Sequence, residues 1–157
     1  MASGGIRINL SGSLPLGLYR LTSSELERGS LVAVCPELSN PAVRVARERG
    51  YLEPVWFTCD GGMAALLKQI LALPGDWVDV SPDGIRVNGR EIENSARLAV
   101  DGAGRPLPPL PVSGEVPAGH VWLFSGHAPE SFDSRYFGPV SHAAIRGTAT
   151  PIWNRSH

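Results

Sequence analysis

The residues best suited to covalent chemistry stand near the start of the chain, in Ser11-Gly12-Ser13-Leu14-Pro15-Leu16-Gly17-Leu18-Tyr19. Two hydroxyl side chains flank a glycine, a proline follows two residues after the second, and nothing charged intervenes, so Ser13 could sit on an exposed, rigidly turned backbone. That is a place for a nucleophile. Serine, glycine and proline also build ordinary surface turns, so the case depends on a partner base elsewhere.

A candidate base lies between Gly61-Gly62 and Pro74-Gly75. In Met63-Ala64-Ala65-Leu66-Leu67-Lys68-Gln69-Ile70-Leu71-Ala72-Leu73 the one charged residue is Lys68. If the second half is a strand, Lys68 shares a face with Leu66, Ile70 and Ala72; if it is a helix, the surroundings are apolar on every side. Either way, desolvation disfavours the ammonium and lowers its pKa from about 10.4. Acting as a base near neutral pH needs a fall of about 3 units, roughly 4 kcal/mol, which buried lysines reach. The ordinary alternative is a lysine that lays its stem on apolar surface and keeps its charge in water. A serine with a desolvated lysine forms a nucleophile and base pair that needs no histidine.

A third stretch, Gly126-His127-Ala128-Pro129-Glu130-Ser131-Phe132-Asp133-Ser134-Arg135-Tyr136-Phe137-Gly138-Pro139-Val140, sets polar and charged residues among aromatics. Asp133 and Arg135 could form a largely buried charge couple, and Ser131 or Ser134 could orient the amine of Lys68. A purely structural network is the alternative. A histidine mechanism would have to use His127 with Glu130 on a helical turn, and is not favoured.

The elements that must position these groups follow from composition and pattern. A chain of 157 residues with 43% hydrophobic content makes one domain with one proper core. A net charge of −1 leaves no electrostatic footprint for nucleic acid and no polybasic membrane patch. Eighteen Gly and fourteen Pro against four Phe describe short elements joined by turns, as in a mainly β domain. The pattern predicts strands at 6–10, about 18–21, 30–35 and 121–124, and a hairpin of 76–80 with 85–88 turning at Ser81-Pro82-Asp83-Gly84. A helix over 42–49 takes Asn40 as N-cap, Pro41 at N1 and Gly50 as its stop, with Arg44, Arg47, Glu48 and Arg49 on a solvated face. Residues 93–119, rich in Pro and Gly, read as a long loop or flap over the surface.

No apolar run approaches the roughly 20 residues that a membrane-spanning helix needs. Met1-Ala2-Ser3-Gly4-Gly5 reads as a cloning scar or a truncation point. Cys35 and Cys59 have no CxxC partner and no clustered histidines, which excludes a zinc ribbon and a redox motif. They are expected to form a disulfide, with two buried free thiols as the alternative.

Three pieces together carry a resemblance. Ser11-Gly12-Ser13 with its following proline, Lys68 eight residues before Asp76 in Lys-Gln-Ile-Leu-Ala-Leu-Pro-Gly-Asp, and Ser131-Phe132-Asp133-Ser134-Arg135-Tyr136-Phe137-Gly138 resemble, in order, the sequence boxes of type I signal peptidases. The TraF-like conjugative transfer branch is the most similar, because Ser-Leu-Pro-Leu-Gly-Leu-Tyr resembles its nucleophile box and the placement of Cys35-Pro36 and Cys59 is also similar.

The resemblance implies an antiparallel β domain with one or two short helices and no cofactor or metal. It makes Ser13 the nucleophile, Lys68 the general base and Asp133 a required carboxylate. Ser11 joins the Ser13 amide in an oxyanion hole, Ser131 orients the lysine, and Arg135 pairs with Asp133. It further implies a protein substrate, a pilin precursor that is cleaved and in this branch cyclised, at the periplasmic face of the bacterial inner membrane. An N-terminal membrane helix would precede residues 1–157, a single catalytic domain.

Two departures stand out. Gln69 occupies a place where arginine is usual, and Gly126-His127 replaces Gly-Asp-Asn. The rival readings are a general signal peptidase acting on secretory leader peptides, a repressor-type autoprotease and a catalytically silent peptide-binding β module. The autoprotease is disfavoured because Ala103-Gly104 and Ala118-Gly119 lie downstream of Lys68 and no DNA-binding helices precede Ser13.

Overall fold

The computed structural model describes residues 6–9, 17–52, 59, 65–128 and 130–154. Every strand pairing among them is antiparallel. The larger sheet is built from β1 (Ile6–Asn9), β2 (Gly17–Thr22), β3 (Leu31–Val34), β4 (Leu66–Ala72), β9 (His120–Phe124), β10 (Val140–Ser141) and β11 (Ile145–Asn154), in the spatial order β1-β2-β11-β3-β4-β9-β10. The smaller sheet, in the order β7-β6-β5-β8, takes β5 (Trp77–Ser81), β6 (Gly84–Val87), β7 (Arg90–Glu91) and β8 (Gly114–Glu115). Two helices, α1 (Pro41–Glu48) and α2 (Ser134–Phe137), complete the fold with a 3-10 turn at His142–Ala144. A mainly antiparallel β architecture with short helices is what the composition predicts.

Alternation decides which side chains meet. In β3, Val32 and Val34 face the main core while Ala33 faces the other side of the sheet with Tyr19, Leu67 and Ala149. The main core gathers Val32, Val34, Ile70, Val121 and Leu123 from the sheet, and α1 and α2 cover it with Val43, Ala46, Tyr136 and Phe137. Between Ile70 and Ala72 the pairing of β4 with β9 shifts register. A bulge turns the following residues to new faces, and Ala72 joins Val78, Ile85, Val87, Val116 and Trp122 in a second core under the smaller sheet.

Local chemistry fixes the ends of these elements. Asn40 caps α1 by accepting from the Ala42 amide at 2.9 Å, Pro41 opens the helix, and Gly50, at φ +76°, follows its end. The β5–β6 turn closes where the sequence predicts it, with Ser81 paired to Gly84. Gly84 is required there, since a Cβ would stand 2.9 Å from Ser95 Oγ. That hydroxyl accepts from the Ile85 amide at 2.8 Å.

The disulfide between Cys35 and Cys59 is present, with 5.6 Å between the Cα atoms. It ties the end of β3 to the segment leading toward β4. The backbone of 93–119 is largely irregular, with only β8 and a Val100–Pro106 bridge, but it is not a free flap. Arg49 donates to the Pro106 carbonyl at 2.6 Å, Tyr51 donates to Asp101, and Asp101 accepts from the amides of Ala103 and Arg105. These non-local ties are invisible in a Pro- and Gly-rich sequence.

Candidate active site

Lys68 sits in the middle of β4, directly opposite Val32 of β3. Directly opposed residues share a face, and Val32 belongs to the main core, so the amine stem enters that core; only 2% of Lys68 is exposed. Burial is the largest influence and pulls its pKa from 10.5 down to about 8; the Asp133 carboxylate opposes the fall and the Arg135 guanidinium assists it. The sequence expectation of a lysine on an apolar strand face is met with Leu66 and Ile70, whereas the register shift after Ile70 takes Ala72, expected on the same face, into the second core. It is also the sole lysine among fourteen basic Lys and Arg residues of the chain.

The segment 131–138 folds over this part of the core. Phe132 stacks on Tyr136, with ring centroids 5.3 Å apart, and both enter the main core. Anchored by these rings, Asp133 becomes the N-cap of α2. One of its carboxylate oxygens accepts from the Arg135 amide at 3.0 Å and from Arg135 Nε at 2.9 Å. The other accepts from the Ser125 amide at 3.0 Å and from Arg135 Nη2 at 2.9 Å. The guanidinium also donates to the carbonyls of Ala96 at 2.9 Å, Ser131 at 3.1 Å and Ser125 at 3.4 Å. A buried ion pair is tolerable only when its remaining hydrogen-bonding capacity is satisfied in this way.

The two candidate lysine-orienting serines have different settings. Ser134 is buried and its Oγ accepts from the Leu123 amide of β9 at 2.8 Å, bracing α2 against the sheet. Ser131 is buried and held through its carbonyl by Arg135. Lys68, Ser131, Asp133, Ser134 and Arg135 are therefore all in the interior, and Asp133 and Arg135 both act electrostatically on Lys68. Ser11 and Ser13 lie outside the described residues. His127 and Glu130 are exposed, unlike the members of this cluster.

Sequence reasoning gave no role to two supporting residues, Asp76 and Arg97. Asp76, which closes the Lys-Gln-Ile-Leu-Ala-Leu-Pro-Gly-Asp stretch, accepts from the Leu73 amide at 2.8 Å, Asn88 Nδ2 at 3.0 Å and Arg28 Nε at 3.1 Å. Its desolvation, which would raise the pKa, is outweighed by these bonds, and the carboxyl is held below its ordinary range. This clasp fixes the turn that follows β4. Arg97 donates to the Arg135 carbonyl at 3.2 Å and to the Pro108 carbonyl, with its guanidinium 4.7 Å from the centre of the Tyr136 ring. Nothing local in sequence marks either partner.

The chain belongs to the signal peptidase S26 family, which it matches over residues 6–153. Within that class its extended similarity is to conjugation proteins. It is 39% identical over 155 residues to the plasmid transfer protein TraF of Escherichia coli, covering 96% of this chain and 83% of that protein. It is 42% identical over 154 residues to the probable conjugal transfer protein TraF of Sinorhizobium fredii, covering 95% of this chain and 77% of that protein. A signal peptidase I crystal structure from Enterococcus faecalis aligns at a TM-score of 0.45 and 20% identity, over 82% of this chain and all of that one. No helix among the described residues is long and apolar enough to cross a membrane.

Proposed function

We propose that the chain is a serine endopeptidase with a Ser13/Lys68 dyad that processes a pilin precursor for conjugative transfer. The observation that carries this reading is the burial of Lys68, which pulls its pKa down from 10.5 to about 8. A fall from 10.5 to about 8 raises the neutral fraction at pH 7 roughly 300-fold, from negligible to a tenth of the molecules. That is the range a general base needs.

The neutral amine takes the Ser13 hydroxyl proton as Oγ attacks the scissile carbonyl carbon. The oxyanion is held by the Ser13 amide and the Ser11 hydroxyl. The lysinium then returns the proton to the departing amine, the peptide bond breaks and an acyl-enzyme remains. Water resolves the acyl-enzyme to a free acid, and the amino terminus of the pilin itself resolves it to a cyclic product. Asp133 and Ser131 hold the amine in place, and Arg135 holds Asp133.

The extended kinship with TraF proteins favours the conjugative substrate over secretory leader peptides. The Cys35–Cys59 bridge supports an oxidising compartment, in keeping with action at the periplasmic face of the inner membrane. The test is processing of pilin precursor and of a secretory preprotein by purified protein. Ser13→Ala and Lys68→Met should each abolish cleavage. Full processing by either variant discards the dyad, and preference for the secretory preprotein discards the conjugative assignment.

A further inference from the structure

We propose that Arg97 is a positioning residue for Lys68: it clamps the segment 96–108 onto Arg135 and Tyr136 and so keeps water away from the buried charges beside the amine. This inference rests on the dyad reading only for its catalytic consequence.

The clamp has several independent ties at one place. The Arg97 guanidinium forks, one nitrogen reaching the Arg135 carbonyl at 3.2 Å and another the Pro108 carbonyl, while its central carbon lies over the Tyr136 ring, 4.7 Å from the centroid. On either side of it in sequence, Arg135 Nη1 reaches the Ala96 carbonyl at 2.9 Å and the Leu98 amide reaches Tyr136 Oη at 3.1 Å. Three consecutive residues, 96 to 98, are thus fastened to two consecutive residues of α2. Arg97 itself is half-buried, whereas Arg135 beneath it is 1% exposed.

Among the described residues, the 131–138 segment contributes the charges of Asp133 and Arg135 that act on Lys68, and β3 sets Val32 directly opposite it. What seals the Asp133–Arg135 pair from outside therefore bears on the charges that act on Lys68. A cation over the ring and a two-carbonyl fork together suit a guanidinium, which a single ammonium does not reproduce. Without Arg97, water reaches Arg135 and Asp133, and desolvation of the amine weakens.

The chain's single lysine makes a direct test possible. Protein carrying ¹³C-lysine gives one lysine side-chain signal, whose titration reads Lys68 whether or not it is catalytic. In Arg97→Ala, and in Arg97→Met, which keeps an apolar stem over Tyr136 and so protects the fold, the midpoint should rise by about half a unit or more. That lowers the neutral fraction at pH 7 about 3-fold, with kcat falling in parallel and its pH profile moving up by the same amount. The rise should persist in ~1 M salt, where through-solvent charge effects are screened within about 3 Å. An unchanged midpoint in a folded variant, or a rise that salt removes, overturns the clamp. A midpoint that rises while the pH profile of cleavage does not follow leaves the clamp standing and counts against Lys68 as the base.

Discussion

Asp133 and Arg135, two positions apart, close a two-pronged ion pair in which Nε–Oδ1 and Nη2–Oδ2 both measure 2.9 Å, and neither side chain exposes more than 1% of its surface. The pair welds the start of α2 to the carbonyls of Ala96, Ser125 and Ser131. It supports the site as an anchor as well as through its charges. Breaking one half leaves the other charge buried and alone, which costs about 3–5 kcal/mol. Asp133→Asn and Arg135→Met should each lose stability of that order in urea unfolding, and the double replacement should cost clearly less than the sum. Single losses below ~1 kcal/mol would deny the pair its anchoring role.

The pH dependence of cleavage has a definite sign. With the neutral amine of Lys68 as the proposed base, activity should rise with pH, close to tenfold per unit well below pH 8, and level off above the lysine midpoint near 8. A flat rate from pH 6 to pH 10 would remove Lys68 from that role.

Burial of the lysine also shapes stability. Its folded pKa, about 8, lies below the unfolded value near 10.4, so between those values the unfolded chain binds more protons. This group's contribution therefore becomes more favourable as pH rises from about 8 to about 10.4, by roughly 3 kcal/mol in all. Lys68→Met should be more stable than the parent at pH 7, with the difference shrinking toward pH 10. Denaturation midpoints of the two proteins measured across that range decide it; a constant difference would contradict a desolvated ammonium.

Asn40 joins the two helices. Its Oδ1 caps α1 through the Ala42 amide at 2.9 Å, and its Nδ2 donates to the Phe137 carbonyl of α2 at 2.7 Å. Asn40→Ala should cost about 2 kcal/mol, one part for the cap and one for the abandoned carbonyl. Asn40→Asp keeps the cap and loses the donor, so thermal unfolding should place it between the two.

The Cys35–Cys59 bridge closes a loop of 24 positions, and in the chain-entropy model such a closure contributes roughly 3 kcal/mol. Reduction, or the double replacement by Ala, should lower unfolding free energy by that order, with refolding under oxidising conditions restoring it. An unchanged denaturation midpoint after verified reduction would show that the bridge does not constrain the unfolded chain.

Much of the fold was legible in local pattern. The α1 cap and stop were readable because Asn40, Pro41 and Gly50 act within a few residues of themselves. The β5–β6 hairpin was readable from Pro82-Asp83-Gly84, and the strands β3 and β9 that flank Lys68 from their short apolar runs, while the Lys68 stretch itself was left open between strand and helix. The charge couple of Asp133 with Arg135 was readable as well, since both members lie in one short segment. Residues 93–119 were not readable in this way: their order comes from Arg49, Tyr51, Arg97 and Arg135, each reaching a backbone group or side chain far off in sequence. The pairing of Arg28 with Asp76 was missed for the same reason.

By itself the sequence determined the types of chemistry available: a hydroxyl two residues before a proline, one lysine in an apolar run, and an acid and a base set two apart among aromatics. It determined several strands too, because side-chain patterns and turn residues act over short range, but it did not mark β11 or settle strand against helix around Lys68. Only the tertiary structure decided how dry that lysine is and which charges act on it. Desolvation and Coulomb interaction depend on what distant segments pack around a group, and no spacing within a single stretch of chain encodes that.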